Sequence, residues 1–386
     1  MPHSKKGVIM EKGIYAGSFD PPTNAHFWII EEATKAFNLH ILIANNPKKQ
    51  SLLPNDVKVS LIENHLKQNK LNAHVSVLPN IFVGEYAMDN NIKYFIRGIR
   101  NNTDLEYEQD MVSFNYDYEL TTICFLPPGD LVNISSSAVK NIIGVYNWRS
   151  AILDYVCATQ PCTAVSDAIE EQYYKNRFTK LLQRCVLPEY LMSDDLFDQE
   201  YKAIKSAYSQ THRQYHTIAH IKSCLNEFEL IKDRLQEPDI VELALWYHDF
   251  VYNPKSQTNE YDSATHLRIA GYLDTHIQKL VCSYIGYTNH KHEVPLNDVQ
   301  YLLDIDMSGL ALVPPECYEQ EIAAEYIPVF GQKKYRAGRI KFLKSLLAKK
   351  HIYKTEFFRN KYETIARENI KQNLKTLKPK AKRINS

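Results

Sequence analysis

The sequence predicts a multidomain chain: an α/β unit with a parallel sheet, followed by an all-α unit. Three observations predict it. Apolar runs of strand length alternate with helical stretches through roughly the first 150 residues, the pattern of a sheet covered by helices on both faces. From residue 168 the helical pattern is almost unbroken to Leu377, and such a switch of pattern marks a separate domain. At 386 residues the chain also exceeds what one compact core usually spans.

The opening stretch GIYAGSFDPPTNAH (13–26) reads as a short apolar strand, a tight turn at Gly17 and Ser18, a Pro-Pro stop and a helix opened by Thr23 and Asn24. That helix is expected over 23–37, followed by a buried strand LHILIAN (39–45) and a loop through Lys48 and Lys49. A helix fits 54–69, strands fit 73–78 and 93–99, a helix rich in acids and aromatics fits 104–118, and a strand fits 121–126. Ligands of parallel sheets bind beyond the carboxyl ends of the strands. The turn at Ser18, the Lys48 and Lys49 loop, Arg97 and the loop at Pro127 and Pro128 all follow strands, so they are expected at one edge.

The chemistry expected there is phosphate chemistry. A helix N-terminus presents unpaired N–H groups and partial positive charge. Ser18 brings a hydroxyl to it and His26 an imidazole, although a capped helix with a surface histidine is the ordinary alternative. Lys48, Lys49, Arg97 and Arg100 add cations, and Ser135, Ser136 and Ser137 add hydroxyls before a further helix. Phosphoryl and nucleotidyl transfer need mainly cations and donors that hold phosphates as charge builds.

These residues carry a family resemblance. GSFDPPTNAH is similar to the (T/S)FDP…TxGH signature of the nucleotidyltransferase superfamily, and within it to phosphopantetheine adenylyltransferase. FIRGIRNNTDLEYEQDM (95–111) resembles that family's RGLR…DFEYE block, and NISSSAVK (133–140) its ISSS-x-VK block. The resemblance spans about 13–141 in this chain and implies a Rossmann-like fold. It further implies adenylyl transfer from ATP to 4′-phosphopantetheine, giving dephospho-coenzyme A and pyrophosphate, with Mg²⁺ on the phosphates. By position, His26, Ser18 and Lys49 are implied as catalytic. ATP would meet Ser18, Phe19, His26, Gly98, Ile99, Arg100, Glu108, Leu131, Val132, Asn133, Ile134, Ser135, Ser136 and Ser137. Phosphopantetheine would meet Ser18, Lys49, Val83 and Arg97. This chain departs from the family pattern at Ala25, where the family usually has Gly, at Leu105, and at GDLVN (129–133). A sister enzyme with another phosphorylated acceptor, such as nicotinate mononucleotide, is the alternative.

The helical half holds nine of the 14 histidines. His216 precedes His220 by one helical turn, His248 and Asp249 end a helix whose buried face is Ile240, Leu243, Ala244 and Tyr247, and Asp306 follows in LLDIDMSGL. Imidazoles and carboxylates from separate helices can enclose a divalent metal and leave positions open for water. A buried His-Asp hydrogen bond is the ordinary alternative. The pattern H…HD…D over about 173–373 resembles the HD superfamily of metal-dependent phosphohydrolases. The resemblance implies His220, His248, Asp249 and Asp306 as ligands of a divalent metal such as Mn²⁺, Fe²⁺, Co²⁺ or Zn²⁺. His216, Glu260 and His290 or His292 are weaker candidates. A non-catalytic nucleotide- or metal-binding regulatory module is the alternative for this half.

We therefore expect a nucleotidyltransferase unit at 7–158, a join at 159–172, a helical unit at 173–373 and a basic tail at 374–386. Hydrophobic content of 44% and charged content of 24% fit a globular protein, and a net charge of +1 offers no global attraction to nucleic acid or membrane. Seven scattered cysteines without a CxxC pair fit reduced thiols, and no apolar run approaches a membrane span. A cytoplasmic homo-oligomer is expected, without membrane or nucleic-acid partners.

Overall fold

The structure, a computed structural model, describes residues 10–45, 51–79, 81–145, 147–156, 163–291, 294 and 297–377. Two compact units divide the chain, Met1–Asn176 and Arg177–Ser386. Among the described residues no helix is long and apolar enough to cross a membrane.

In the first unit, strands β1 (Lys12–Gly17), β2 (Asn38–Ile43), β3 (Ala73–Val77), β4 (Tyr94–Gly98) and β5 (Thr121–Phe125) form one parallel sheet in the order β3-β2-β1-β4-β5. Helices α1 (Asn24–Thr34), α2 (Asn55–Gln68), α3 (Val83–Asp89), α4 (Asn102–Tyr116), α5 (Ser136–Ile142) and α6 (Trp148–Val156) follow in turn, and α7 (Ala164–Cys185) begins in this unit and continues past Asn176 into the second. Strand side chains alternate between faces. Tyr15, Leu39, Ile41 and Ile43 enter a large core with Phe27, Ile30 and Ile62, while Ile14, Ala16 and Leu42 enter a smaller one with Ala87, Ile92 and Phe95. Both sheet faces are thus covered, as a parallel sheet requires. The order reverses between β1 and β4, which opens a crevice at their carboxyl ends.

The expected strands all form, each within two residues of its predicted ends. Two elements were not anticipated. The short α3 buries only Gly84 and Ala87, too little apolar periodicity to read, and α6 likewise spans only Trp148–Val156. The helix expected from 104 starts at Asn102, because the Asn101 side chain accepts the Asp104 N–H and caps it. Of the residues expected as a join, 159–162 lie outside the described residues and 164–172 are the first turns of α7.

The second unit is helical: α8 (Asp194–Tyr208), α9 (Ile218–Glu229), α10 (Pro238–Tyr247), α11 (Asn259–Ala270), α12 (Thr275–Tyr287), α13 (Asn297–Asp306), α14 (Gly309–Leu312), α15 (Pro315–Phe330), α16 (Gln332–Ala348) and α17 (Glu356–Leu377). Helix α10 is its centre. It was expected to bury one face, yet every residue from Ile240 to Tyr247 is buried, because Val241, Leu245 and Trp246 fill the remaining faces. Trp246 meets Phe178 at 5.1 Å between ring centroids, and Glu242 is neutralised by Arg177 at 2.6 Å. The single helix expected over 316–349 is two, broken at Gly331. That residue has φ +73°, a conformation that needs no Cβ. The predicted tail divides: 374–377 end α17, and 378–386 lie outside the described residues.

Two glycines yield opposite predictions. A Cβ at Gly84 would lie 2.3–2.8 Å from the Tyr118 ring, so Gly84→Ala should destabilise the first unit by about 1–3 kcal/mol despite its better helix propensity. A Cβ at Gly338, inside α16, meets nothing within 4 Å, so Gly338→Ala should stabilise the second unit by about 1 kcal/mol. Calorimetric unfolding of the full chain, with the transitions resolved, checks both signs.

Candidate functional site

In the first unit the turn after β1 is held from beneath by Asp20. Its buried carboxylate accepts the Leu52 and Leu53 N–H groups at 2.8 Å each and the Lys140 ammonium, and Lys58 lies 3.6 Å away. Burial alone would raise the Asp20 carboxyl, but Lys140, the two N–H groups and Lys58 outweigh it and hold it below its ordinary value. This anchor joins the turn to α2 and α5. Ser136 Oγ adds a link by donating to Pro21 O at 2.8 Å. Phe19, at φ +45°, is fully buried against Tyr15 and the His26 ring. Ser18 is left exposed at the sheet edge.

His26 is the third residue of α1 and reaches back over its start. Nδ1 accepts the Thr23 N–H at 3.1 Å and lies 2.7 Å from Thr23 Oγ1. A ring nitrogen that accepts a backbone N–H carries no proton, so the proton of the neutral ring sits on Nε2. Burial, and secondarily Arg100, push the ring's pKa down to about 4. The imidazole is therefore a neutral hydrogen-bond donor near pH 7.

The end of β4 faces the same crevice. Gly98 packs tightly there, since a Cβ would lie 2.3 Å from the end of the Ile29 side chain of α1 and would displace it. Arg97 Nε donates to Glu108 Oε1 at 2.6 Å and Nη1 to Ala16 O at 3.1 Å. Arg100 forms a two-pronged pair with Asp104, with Nε at 2.9 Å and Nη2 at 3.1 Å, and its Nη1 lies 3.4 Å from Ile134 O. Ile99 is buried and donates its N–H to Phe125 O. Ser135 caps α5 by accepting the Ala138 N–H, while Asn133 and Ser137 are exposed and Leu131 and Val132 half-buried. Hydrogen bonds thus join the segments at Ser18, Arg97 and Ser135. Val83 is half-buried, packed against the smaller core. Lys48 and Lys49 lie outside the described residues.

In the second unit, α9, α10 and α13 deliver His220, His248 and Asp306, whose ligand atoms all lie within 4.8 Å of one another. His248 follows the buried α10 and donates Nδ1–H to Leu245 O at 3.0 Å. Its Nε2 is buried without a hydrogen-bond partner among the described residues, 3.1 Å from Asp249 Oδ2 and 3.5 Å from Asp306 Oδ1. With Nδ1 tied to a carbonyl, Nε2 faces these carboxylates, a position that suits a metal ligand once a cation takes the place of its proton. His220 Nε2 lies 3.3 Å from Asp306 Oδ1, and His290 Nε2 3.2 Å from Asp306 Oδ2. Asp249 stands beside the compact triple rather than within it. Burial opposes a charged His248 ring, but Asp249 and Asp306 outweigh it and raise its pKa well above the ordinary value. His292 lies outside the described residues.

The site opens into a cavity of about 630 Å³ that also meets His216, Glu260, Tyr318 and Arg339. Sequence reasoning missed the two residues that brace it. Glu325 of α15 accepts the Gln214, Tyr215 and His216 N–H groups at 2.7–2.9 Å, and its other oxygen meets His216 Nδ1 and the Tyr252 hydroxyl. Burial would raise the Glu325 carboxyl, but His216 and the N–H groups bring it down to about 2. Arg213 donates to Asp249 O at 2.7 Å and Phe250 O at 2.9 Å, clamping the backbone beyond His248. A signal existed for Glu325. It shares the buried stripe of α15 with Ile322 and Glu319 at helical spacing, and acids on an apolar stripe call for partners.

The His26 geometry makes a pH prediction. An unfolded histidine titrates near 6.5, so between about 4 and 6.5 the unfolded chain binds the extra proton. Its contribution to stability is therefore complete above that window and lost as pH falls through it. NMR titration of the full chain should find the His26 ring unchanged from pH 8 to 5.5. A midpoint near 6.5 would contradict the buried neutral ring.

A cytidylyltransferase-like family model matches residues 14–142. The phosphopantetheine adenylyltransferase of Chromobacterium violaceum is 37% identical over 150 residues, which is 38% of this chain and 91% of that protein. That of Neisseria meningitidis serogroup C is 34% identical over 148 residues, covering 38% and 86%. That of Streptococcus gordonii is 32% identical over 167 residues, covering 42% and 97%. Through its first unit, the chain belongs to the phosphopantetheine adenylyltransferase family.

Proposed function

We propose that the first unit transfers the adenylyl group of ATP to 4′-phosphopantetheine, a step of coenzyme A synthesis. The observation that carries this reading is the neutral His26, tied through Nδ1 and presenting Nε2–H at the crevice. A phosphate oxygen of the acceptor attacks the α-phosphorus of ATP in line. The new phosphorus–oxygen bond forms as the bond to pyrophosphate breaks, and pyrophosphate leaves with the electron pair. Charge rises on the α-phosphoryl oxygens, where the Nε2–H of His26 donates without proton transfer. Ser18 and Arg100 hold the ATP phosphates, with backbone groups of Phe19, Gly98 and Ile99 and the segment 131–137 around the nucleotide. The buried Phe19 ring leaves its backbone as the group able to reach a ligand. Glu108 holds Arg97 extended, and Arg97 with Lys49 binds the acceptor phosphate. Mg²⁺ on the ATP phosphates would supply further charge neutralisation. Val83 would contact the pantetheine arm through its exposed edge. We also read the protein as a cytoplasmic homo-oligomer, like the expectation from its sequence.

We further propose that the second unit, in the manner of the HD superfamily, is a metal-dependent phosphohydrolase. The orphaned Nε2 of His248, facing Asp306 and His220, carries this reading. His220, His248 and Asp306, with Asp249 alongside, would hold a divalent cation such as Mn²⁺, Fe²⁺, Co²⁺ or Zn²⁺. Such a cation would polarise a phosphoryl oxygen and acidify a bound water. Leu245 O fixes the His248 tautomer, Arg213 fixes the backbone at Asp249, and Glu325 orients His216 toward the cavity.

Two experiments test these readings in the full chain. With ATP, Mg²⁺ and 4′-phosphopantetheine, pyrophosphate release should depend on the acceptor and fall about 10²–10³-fold in His26→Ala. Release with nicotinate mononucleotide instead would overturn the acceptor. After Mn²⁺ loading and desalting, elemental analysis should find metal in the wild-type chain and none in His248→Ala with Asp249→Ala, with transferase activity intact. Failure of the wild-type chain to take up metal would end the hydrolase reading.

A further inference from the structure

We propose that the second unit's cavity holds a substrate with two phosphate groups, one at the metal-ligand triple and the other at Arg339 and Lys334. The inference deepens the phosphohydrolase reading and rests on it for the identity of the first phosphate. Arg339 lies on the buried stripe of α16 with Tyr335, Leu343 and Leu346, and its side chain is only 8% exposed. One guanidinium nitrogen, Nε, donates to Glu319 Oε2 at 3.0 Å, and Tyr335 OH secures the other Glu319 oxygen. Its Cζ lies 5.2 Å from the Tyr318 ring centroid and 5.4 Å from that of Phe342, within cation–π range. Nη2 is buried and has no hydrogen-bond partner among the described residues. A buried donor left unmade costs free energy unless something fills it. Arg339 lines the same cavity as His248 and Asp306.

The chemistry of the surroundings selects the class. Lys334 of α16 also lines the cavity, with Nζ 5.2 Å from the Phe330 ring centroid. Two cations with a free guanidinium donor match a phosphate monoester, which carries close to two negative charges near neutral pH, better than a single carboxylate. The same cavity is lined by Tyr318, Ile322, Tyr326, Phe330 and Phe342, so the body joining the phosphates would meet apolar and aromatic walls. A cavity of about 630 Å³ is of the size that encloses a small organic ligand.

The test is calorimetric binding to the Mn²⁺-loaded full chain at 0.15 M salt. The probes are bisphosphates of the straight-chain diols from ethane-1,2-diol to hexane-1,6-diol, each beside the matching alkyl monophosphate. At one chain length the bisphosphate should bind at least tenfold more tightly than its monophosphate. Arg339→Gln should abolish the preference and leave monophosphate affinity unchanged. Arg339→Lys keeps a charge beside Glu319 but lacks Nη2, so it should lose most of the preference even if the glutamine variant does not fold. No bisphosphate preference at any length in the wild-type chain, or a preference untouched in Arg339→Lys, would overturn the inference. Phosphate release and metal content report separately on the hydrolase reading. A length-dependent, Arg339-dependent preference without metal uptake would retain the anion subsite and discard the hydrolase.

Discussion

Each candidate site depends on one imidazole, half-buried in His26 and buried in His248, tied to the backbone through Nδ1, and the sense of that bond decides its chemistry. In His26, Nδ1 accepts the Thr23 N–H, which leaves Nε2 as a donor. In His248, Nδ1–H donates to Leu245 O, which leaves Nε2 facing Asp249 and Asp306, where a cation can displace its proton and take the lone pair. A donor suits the oxygens of a phosphoryl group, and a lone pair suits a cation. The rest of each unit arranges that ring: the Asp20 anchor and α1 in one, the buried α10 with Arg213 in the other.

The electrostatic settings differ accordingly. In the first unit Arg97 and Arg100 are each extended by a carboxylate, Glu108 and Asp104, so the cations stand ready at low conformational cost. In the second unit carboxylates gather around the histidines, and the field favours positive charge. The cations Arg339 and Lys334 of α16 line the same cavity. One cavity therefore offers both signs of charge among aromatic walls.

Much of this was legible in the sequence, for physical reasons. The strands read correctly because side-chain alternation and buried runs are local signals, and the parallel order followed from their spacing by helices. His220, His248 and Asp306 were singled out from the sequence, and the structure brings their ligand atoms within 4.8 Å of one another. What could not be read depended on distant partners. Nothing near Asp20 announces Lys140, which lies 120 residues away, and nothing near His216 announces Glu325, 109 residues away. The break at Gly331 was missed because the flanking helical periodicity is continuous across it. Arg339 was not singled out, although it shares helical spacing with Tyr335, Leu343 and Leu346.

The opposite tautomers of the two imidazoles are the central claim. Long-range proton–nitrogen correlation spectra of the ¹⁵N-histidine full chain at pH 7, loaded with Zn²⁺ in the second unit, measure them directly. The account predicts a protonated Nε2 with a bare Nδ1 for His26, and a protonated Nδ1 with a metal-bound Nε2 for His248. A shared tautomer, or a doubly protonated ring at either position, would contradict it.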